Sequence, residues 1–290
     1  MVKFGRLLTA MITPFTSEGT IDWPKVSALI DHLIATGTET IVVAGTTGES
    51  PTLSHDEKLE LFRRTVQHVA GRVKVMASTG SNNTAASVAL TREAEQTGVD
   101  GVMLVAPYYN KPSQEGLYRH FRTVAEATSL PVMVYNIPGR TGVNMTVETM
   151  ARLAEIDNIV AFKEASGNVI QAGKLVERVP EGVAVYSGDD ALTLPTLAVG
   201  GHGIVSVASH VVGSGMQKMM QSYFAGDVQT AAKLHARYLP LFEGLFMAPN
   251  PVPVKYALSL KGLCEPHVRL PLVELDDEQK EKVKALVEAL

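Results

Sequence analysis

The sequence predicts an α/β fold, namely a TIM (β/α)₈ barrel with a C-terminal helical domain. Short β-rich runs alternate with amphipathic helical patterns over about 220 residues, as eight strand-helix units require. The alternation stops at residue 227, and three helical stretches follow. We therefore expect a barrel over residues 1–226 and a helical domain over residues 227–290. A doubly wound parallel sheet is the alternative that the same alternation allows.

Each predicted strand is a short apolar run with turn-forming residues around it. The eight runs lie at residues 7–12, 40–44, 73–77, 101–106, 131–135, 159–163, 183–186 and 203–207. The first run follows Lys3 and Arg6, as in a signal peptide, but Thr13 and Pro14 end it early and no cleavage pattern follows. A first barrel strand in a cytoplasmic protein is the better interpretation.

Helices are expected where apolar residues recur every three or four positions, several of them opened by Ser, Thr, Asn or Pro or closed by Gly. In the barrel they lie at residues 23–35, 55–70, 84–97, 114–128, 147–154 and 168–178. In the C-terminal domain they lie at residues 227–246, 252–261 and 276–290. The proline-rich stretch at residues 248–253 is a helix stop and start rather than a flexible linker, because it is short and apolar.

Composition narrows the functional classes. The 290 residues are 46% hydrophobic and 19% charged, which is typical of an ordinary globular chain. The net charge of −4, with scattered basic residues, argues against nucleic-acid binding, and no apolar stretch is long enough to cross a bilayer. The single cysteine, Cys264, cannot form an internal disulfide, and the eight histidines are dispersed without metal-ligand spacing. We expect no metal, and we expect no organic cofactor either, because in the imine chemistry considered below the protonated imine nitrogen is itself the electron sink.

Lys163 is the most informative residue, because it ends the apolar run Ile159-Val160-Ala161-Phe162, which otherwise reads as a buried parallel strand. Burial disfavours the charged form of an amine, so a lysine there can be neutral near neutral pH and can attack a carbonyl. A strand-end lysine that reaches water is the ordinary alternative. The residues around it decide between the two.

Other polar residues also come just after predicted strands, where barrels of this type build their active sites. Thr46 and Thr47 lie in the sequence GTTGES at residues 45–50, whose amides and hydroxyls suit a carboxylate. Tyr109 and Tyr135 are phenols that can transfer protons during imine chemistry, although strand-end aromatics often just close a barrel. Arg140 lies on the loop after the fifth strand, where it could hold a second carboxylate.

Together these motifs make the chain resemble the dihydrodipicolinate synthase family of pyruvate-dependent aldolases, which also contains the N-acetylneuraminate lyases. The resemblance spans nearly the whole length. It is carried by GTTGE at residues 45–49, YNIPGRTG at 135–142, KEA at 163–165, SGDD at 187–190 and GGHG at 200–203. It implies a lyase that condenses pyruvate with L-aspartate 4-semialdehyde in the diaminopimelate route to lysine.

The resemblance also implies roles for individual residues. Lys163 would form the imine with pyruvate, Tyr135 would assist proton transfer, and Thr46 would link Tyr135 to Tyr109 of a neighbouring subunit. The substrate would be bound by four further residues: Thr47 for the pyruvate carboxylate, Arg140 for the semialdehyde carboxylate, and Gly188 and Val205 as the lining of the pocket. A homotetramer built as a dimer of dimers is expected. The pair Asp189 and Asp190 is interpreted as the cap of the next helix.

Sensitive members of this family bind the inhibitor lysine at positions that match four residues here: Ser50, His55, Asn82 and Tyr108. Three neighbouring positions depart: Pro51 replaces a common small residue, Lys58 stands where a histidine is common, and Ala86 stands where a carboxylate is common. A ligand ammonium would lose its charged partner and meet a like charge. The expectation is weak or absent inhibition by lysine.

Two other functions compete with this one. A sister lyase that cleaves N-acetylneuraminate or a 2-keto-3-deoxy sugar acid would share Lys163 and Tyr135, but such members generally lack the arginine at the position of Arg140. A catalytically silent barrel that binds a small carboxylate or scaffolds an assembly is the third interpretation. The joint presence of the lysine, both tyrosines, both threonines and the arginine argues against it.

Overall fold

A computed structural model describes residues 4–290, and in it eight parallel strands close into a barrel. The strands are β1 (Leu7–Ala10), β2 (Thr40–Val43), β3 (Lys74–Ser78), β4 (Gly101–Val105), β5 (Val132–Asn136), β6 (Ile159–Glu164), β7 (Ala184–Ser187) and β8 (Gly203–Ser206). Each strand pairs with the next along the chain, and β8 pairs with β1. The closed sheet confirms the predicted TIM barrel and excludes the doubly wound alternative.

Helices connect the strands and then continue beyond the barrel. They are α1 (Trp23–Ala35), α2 (His55–Val69), α3 (Thr84–Glu95), α4 (Gln114–Ala125), α5 (Pro138–Thr141), α6 (Val147–Ala154), α7 (Val169–Arg178), α8 (Thr193–Ala198), α9 (Ser209–Phe224), α10 (Val228–Gly244), α11 (Val252–Ser259) and α12 (Asp277–Glu288). The predicted helices are confirmed to within a few residues at each end. The short α5 and two longer helices, α8 and α9, lie outside the predicted set.

Local chemistry explains where most helices begin. Ser54 and Glu57 form a reciprocal capping box at the start of α2, and Asp276 does the same with Gln279 at the start of α12. By contrast, no side chain caps α8 or α9, and α9 is kinked at Val212. These two helices therefore lack the boundary signals that a sequence reading depends on.

The barrel has two apolar layers, because side chains on a strand alternate between its faces. Side chains such as Val43, Val134 and Phe162 face the surrounding helices. The inner layer is a separate cluster that fills the barrel: Leu8, Ala10, Val42, Met76, Met103, Met133, Tyr135, Ala161, Tyr186 and Val205. Polar side chains at the carboxyl ends of the strands continue this inner layer. They therefore lie at one end of the apolar core.

The helices after the barrel pack on it and on one another. Helix α10 packs against α9, and α12 packs against α10 and α11. The division into domains at residue 226 stays a prediction, and residues 1–3 of the expected first domain lie outside the described range. None of the helices within residues 4–290 combines the length and the apolar character that a membrane crossing needs.

Two charged residues of the C-terminal region hold the β2–α2 connection. The Lys255 ammonium donates to the Glu49 carboxylate, with both side chains almost completely buried, and also to the backbone oxygen of His267 at 2.8 Å. Arg269 forms a bidentate ion pair with Glu57 (2.6 and 2.8 Å), and its backbone N–H donates to Glu49 at 3.0 Å. We call the two ion pairs, Lys255 with Glu49 and Arg269 with Glu57, the C-terminal clamp.

Removing one partner of the buried pair should destabilise the protein, because the other charge is then left without compensation. We expect Lys255→Met to cost about 3–5 kcal/mol of unfolding free energy, measured by urea denaturation. The double variant Glu49→Gln/Lys255→Met should recover part of that loss, because the buried charge is gone. The control is Lys282→Met, which breaks the exposed pair with Glu278 and should leave the unfolding curve almost unchanged. Equal curves for Lys255→Met and Lys282→Met would contradict the role of the clamp.

Candidate active site

Lys163 lies on β6 with its side chain inside the barrel. The strand register places it between Tyr135 on β5 and Tyr186 on β7, and only 6% of the residue is exposed. Its Nζ atom lies 4.0 Å from the centre of the Tyr135 ring and has no hydrogen-bond or ion-pair partner among residues 4–290. Burial lowers the pKa of this amine to about 7, an effect that Asp190 opposes and Arg140 reinforces. Near neutral pH a large share of the amine is therefore uncharged.

Asp190 is a buried carboxylate behind this amine. It accepts hydrogen bonds from the Ser206 hydroxyl (2.5 Å) and from the backbone N–H groups of Val207 (3.1 Å) and Ala208 (2.9 Å). The prediction that Asp189 and Asp190 both cap the next helix is half wrong. Asp189 does accept from the Ala191 N–H at 2.9 Å, but Asp190 turns inward, where the end of β8 and the two residues after it offer three donors.

Gly188 gives the lysine side chain its room. A Cβ atom at this position would lie 2.9 Å from Cε of Lys163 and 2.7 Å from Cβ of Ala165, closer than carbon atoms approach in proteins. Val205, the other residue predicted to line the pocket, is 1% exposed and belongs to the inner apolar layer. Gly188 thus shapes the space around Lys163, and the role of Val205 in the pocket stays a prediction.

Tyr135 supplies a neutral phenol next to the amine. Burial raises the pKa of its hydroxyl, whereas the neighbouring Arg140 charge and Thr46 hydroxyl lower it by less. A protonated phenol can both donate and accept a hydrogen bond. Thr46, Tyr135 and Arg140 line one cavity of about 230 Å³ that opens at the carboxyl ends of the strands, together with Ser50 and Tyr108.

The GTTGE turn between β2 and α2 is held in an unusual backbone conformation. Ala44 and Glu49 have positive φ angles of 53° and 56°, which residues other than glycine adopt only with strain. A Cβ atom on Gly48 would lie 3.1 Å from the backbone oxygen of Met11. Thr47, at the centre of the turn, is buried, and its hydroxyl accepts a hydrogen bond from Asn250 at 2.9 Å. The sequence reading did not single out Asn250, because it lies 203 residues away along the chain.

The other sequence-predicted residues lie apart from this cavity. Tyr109 is 88% exposed and has a positive φ of 74°, so it points away from the site of its own chain. His55 bonds to Glu93 on the surface (2.9 Å), and the backbone oxygen of Asn82 accepts from Asn110 (2.9 Å). Of the four residues predicted for a lysine site, only Ser50 and Tyr108 line the cavity. Lys58 lines it too, and burial lowers the pKa of this ammonium.

The arrangement can support covalent chemistry on a carbonyl compound. Lys163 offers a nucleophilic amine, Tyr135 a proton donor and acceptor, and the GTTGE turn a set of hydroxyls and amides for a carboxylate. Within residues 4–290 no three His, Cys, Asp or Glu side chains are grouped as metal ligands. The fold and the site together define the class of barrel enzymes that bind a substrate as a Schiff base.

Comparison with known proteins specifies the class further. The sequence matches the profile of the Dihydrodipicolinate synthetase family over residues 3–290, and the chain belongs to this family. It is 58% identical to a 4-hydroxy-tetrahydrodipicolinate synthase from Bacillus velezensis, with 100% of both chains covered. A dihydrodipicolinate synthase structure from Bacillus anthracis superposes with a TM-score of 0.98 at 53% identity, covering 100% of this chain and 99% of the other. A lysine-bound one from Cyanidioschyzon merolae gives a TM-score of 0.97 at 46% identity, with the same coverage.

The protonation of Lys163 should control imine formation. Because only the neutral amine attacks a carbonyl, the amount of pyruvate trapped by borohydride should rise with pH through a midpoint near the Lys163 pKa of about 7. Peptide mass spectrometry after a short exposure at each pH measures it. The peptide that contains Lys255, buried but paired, serves as an internal control and should stay unmodified, as should the whole chain of Lys163→Met. A midpoint near 10 would show that Lys163 is not desolvated.

Proposed function

We propose that this chain is a lyase that condenses pyruvate with L-aspartate 4-semialdehyde, the 4-hydroxy-tetrahydrodipicolinate synthase reaction of the diaminopimelate route to lysine. Its family membership and its 58% identity to a relative of that name support the assignment. The observation that carries it is the unpaired, desolvated amine of Lys163 against the Tyr135 ring. Lys58 on α2 also lines the cavity, but it is only half-buried, whereas Lys163 is buried on a strand of the barrel.

The chemistry begins when the neutral Lys163 amine adds to the keto carbon of pyruvate and water leaves, which forms an imine. The protonated imine nitrogen withdraws electrons, so a proton is lost from the adjacent methyl group to give an enamine. The enamine carbon then bonds to the aldehyde carbon of the semialdehyde, and the aldehyde oxygen takes up a proton. Finally the amino group of the new chain attacks the imine carbon, which closes the ring and releases Lys163.

Proton transfers in this sequence are assigned to Tyr135, with Thr46 linking it to Tyr109. Burial favours the protonated phenol of Tyr135, so it can donate to the oxygen that leaves as water and then accept a proton in return. Asp190 is proposed to lie on the side of the cationic imine; burial raises the pKa of its carboxyl, and its hydrogen bonds oppose that shift by less. Its bonds to Ser206, Val207 and Ala208 keep it in place without an ammonium partner.

Substrate carboxylates are assigned to two positions. Thr47 in the GTTGE turn binds the carboxylate of pyruvate, and Arg140 at the rim of the cavity binds that of the semialdehyde. The support for Arg140 is its place on α5 beside the cavity, where its guanidinium also acts on Tyr135 and Lys163. Gly188 and Val205 complete the wall around the bound keto acid.

Tyr109 is proposed to act in the site of a neighbouring subunit within a homotetramer, a dimer of dimers. An aromatic side chain that is 88% exposed on a strained loop is costly in a monomer and gains by entering a partner. The loop is held in place by Asn110. Its backbone N–H donates to the backbone oxygen of Tyr108 (2.9 Å), and its side chain donates to the backbone oxygen of Asn82 (2.9 Å).

We also propose that lysine inhibits this enzyme weakly or not at all. The proposal rests on Lys58, which lines the same cavity and would repel the ammonium of a lysine ligand.

The function is tested by a coupled assay with dihydrodipicolinate reductase, in which NAD(P)H oxidation should depend on both pyruvate and L-aspartate 4-semialdehyde. Lys163→Met should abolish the signal, because it has no nucleophile. Release of pyruvate from N-acetylneuraminate or a 2-keto-3-deoxy sugar acid is measured in parallel. Faster turnover of a sugar acid than of the semialdehyde pair would replace the proposal with the sister lyase.

The shared site is tested by mixing two inactive variants, Lys163→Met and Tyr109→Phe. If Tyr109 acts on its partner, a mixed dimer contains one site with both native residues, so refolding the two together should restore up to about a quarter of the native activity. Each variant refolded alone serves as the control. No recovery from the mixture, with mixed dimers detected by native mass spectrometry, would place Tyr109 outside the neighbouring site.

A further inference from the structure

A single hydrogen bond joins the C-terminal region to the centre of the GTTGE turn. The Nδ2 group of Asn250 donates to Oγ1 of Thr47 at 2.9 Å, and the two residues are only 7% and 3% exposed. Asn250 lies just before α11, the helix that carries Lys255. The turn is thus fixed from outside the barrel at two points, Thr47 and Glu49, by residues of one short segment.

The direction of this bond determines what Thr47 can offer to a ligand. An amide NH₂ group only donates, so the Thr47 oxygen accepts, and the one hydroxyl hydrogen stays available. Among residues 4–290 no group accepts that hydrogen. A carboxylate only accepts hydrogen bonds, so it can use a threonine whose hydrogen is free and would be repelled by one whose lone pairs point at it.

The orientation of the Asn250 amide has a cost elsewhere. Its Oδ1 atom is buried and has no hydrogen-bond partner in the described part of the chain. A buried unpaired carbonyl oxygen is unfavourable, and such exceptions in folded proteins call for an explanation. The explanation here is that the donor side of the amide is needed at Thr47.

We propose that Asn250 is a positioning residue that holds Thr47 as a hydrogen-bond donor to the carboxylate of the bound keto acid. The inference rests on the proposed function, in which Thr47 binds pyruvate. It assigns to the C-terminal region a part in substrate recognition, through Asn250, that is separate from the stabilising contacts of the C-terminal clamp.

The decisive variant is Asn250→Asp, which keeps the shape and reverses the hydrogen bond. An ionised carboxylate can only accept, so Thr47 would turn its hydrogen towards position 250 and its lone pairs towards the substrate. The kcat/KM for pyruvate should fall on the order of 10- to 100-fold, as expected for one hydrogen bond to a charged group. The kcat/KM for the semialdehyde should change little, because it reports the second half of the reaction. Equal losses for both substrates would overturn the inference.

The pH dependence separates positioning from a structural defect. As the pH falls, the introduced carboxyl becomes protonated and can donate again, so the ratio of native to variant kcat/KM for pyruvate should narrow towards one. A misfolded turn would give a constant ratio, which would count against the inference. The matched control is Asn168→Asp at the exposed start of α7, where either side chain accepts from the Gln171 N–H and neither substrate should be affected.

If Asn250→Asp does not fold, Asn250→Ala and Thr47→Val, alone and together, provide the same information. The double variant should lose no more kcat/KM for pyruvate than Thr47→Val alone, whereas additive losses would refute the coupling. Borohydride trapping keeps this outcome apart from the proposed function. Absence of trapping in the native protein would defeat the function itself, whereas equal trapping of the native protein and Asn250→Asp at subsaturating pyruvate would defeat only the role of Asn250.

Discussion

The desolvation of one amine is the constraint on which the site depends. A charged lysine inside an apolar barrel is unfavourable. Among residues 4–290 Lys163 has no ion-pair partner, and burial instead lowers its pKa so that part of the amine is neutral. Its neighbours are consistent with a neutral amine: Gly188 leaves room for the side chain, and Asp190 accepts from Ser206 and Ala208 instead of bonding to the amine. Tyr135 on the adjacent strand stays protonated for the same reason, since burial opposes its charged form as well.

The GTTGE turn after β2 depends on a different constraint, because it presents hydroxyl groups from a strained backbone that other residues must hold in place. Its two left-handed residues, Ala44 and Glu49, would relax if nothing opposed them. Glu49 is held by the Lys255 ammonium and by the Arg269 N–H, and Thr47 is held by Asn250. The C-terminal region therefore contacts the side chains of this turn from three positions, although it contributes no strand to the barrel.

Local patterns were sufficient to predict the eight strands and most helices, because strand-helix alternation and helix caps depend on residues that are close together in the sequence. Lys163 stood out for the same reason, as one charge in an apolar run. The contacts of Asn250 and Lys255 could not be predicted, since their partners lie 203 and 206 residues away. Helix α9 was missed because Gly213 and Gly215 lower its helix propensity. The structure shows why Gly215 is there, since a Cβ atom would collide with Tyr238 on α10.

Two buried lysines of this chain show how environment, not residue type, separates structure from chemistry. Burial lowers the pKa of both Lys163 and Lys255, yet the Glu49 carboxylate opposes the effect at Lys255, which also donates to the backbone oxygen of His267. Lys255 is therefore paired with a carboxylate and ties two parts of the fold together. Lys163 has no such contact within residues 4–290, and its nitrogen lies over the Tyr135 ring at 4.0 Å. A direct carboxylate partner would favour the protonated form of Lys163 and reduce its nucleophilicity. Asp190 does not bond to the amine, because it accepts instead from the backbone N–H groups of Val207 and Ala208.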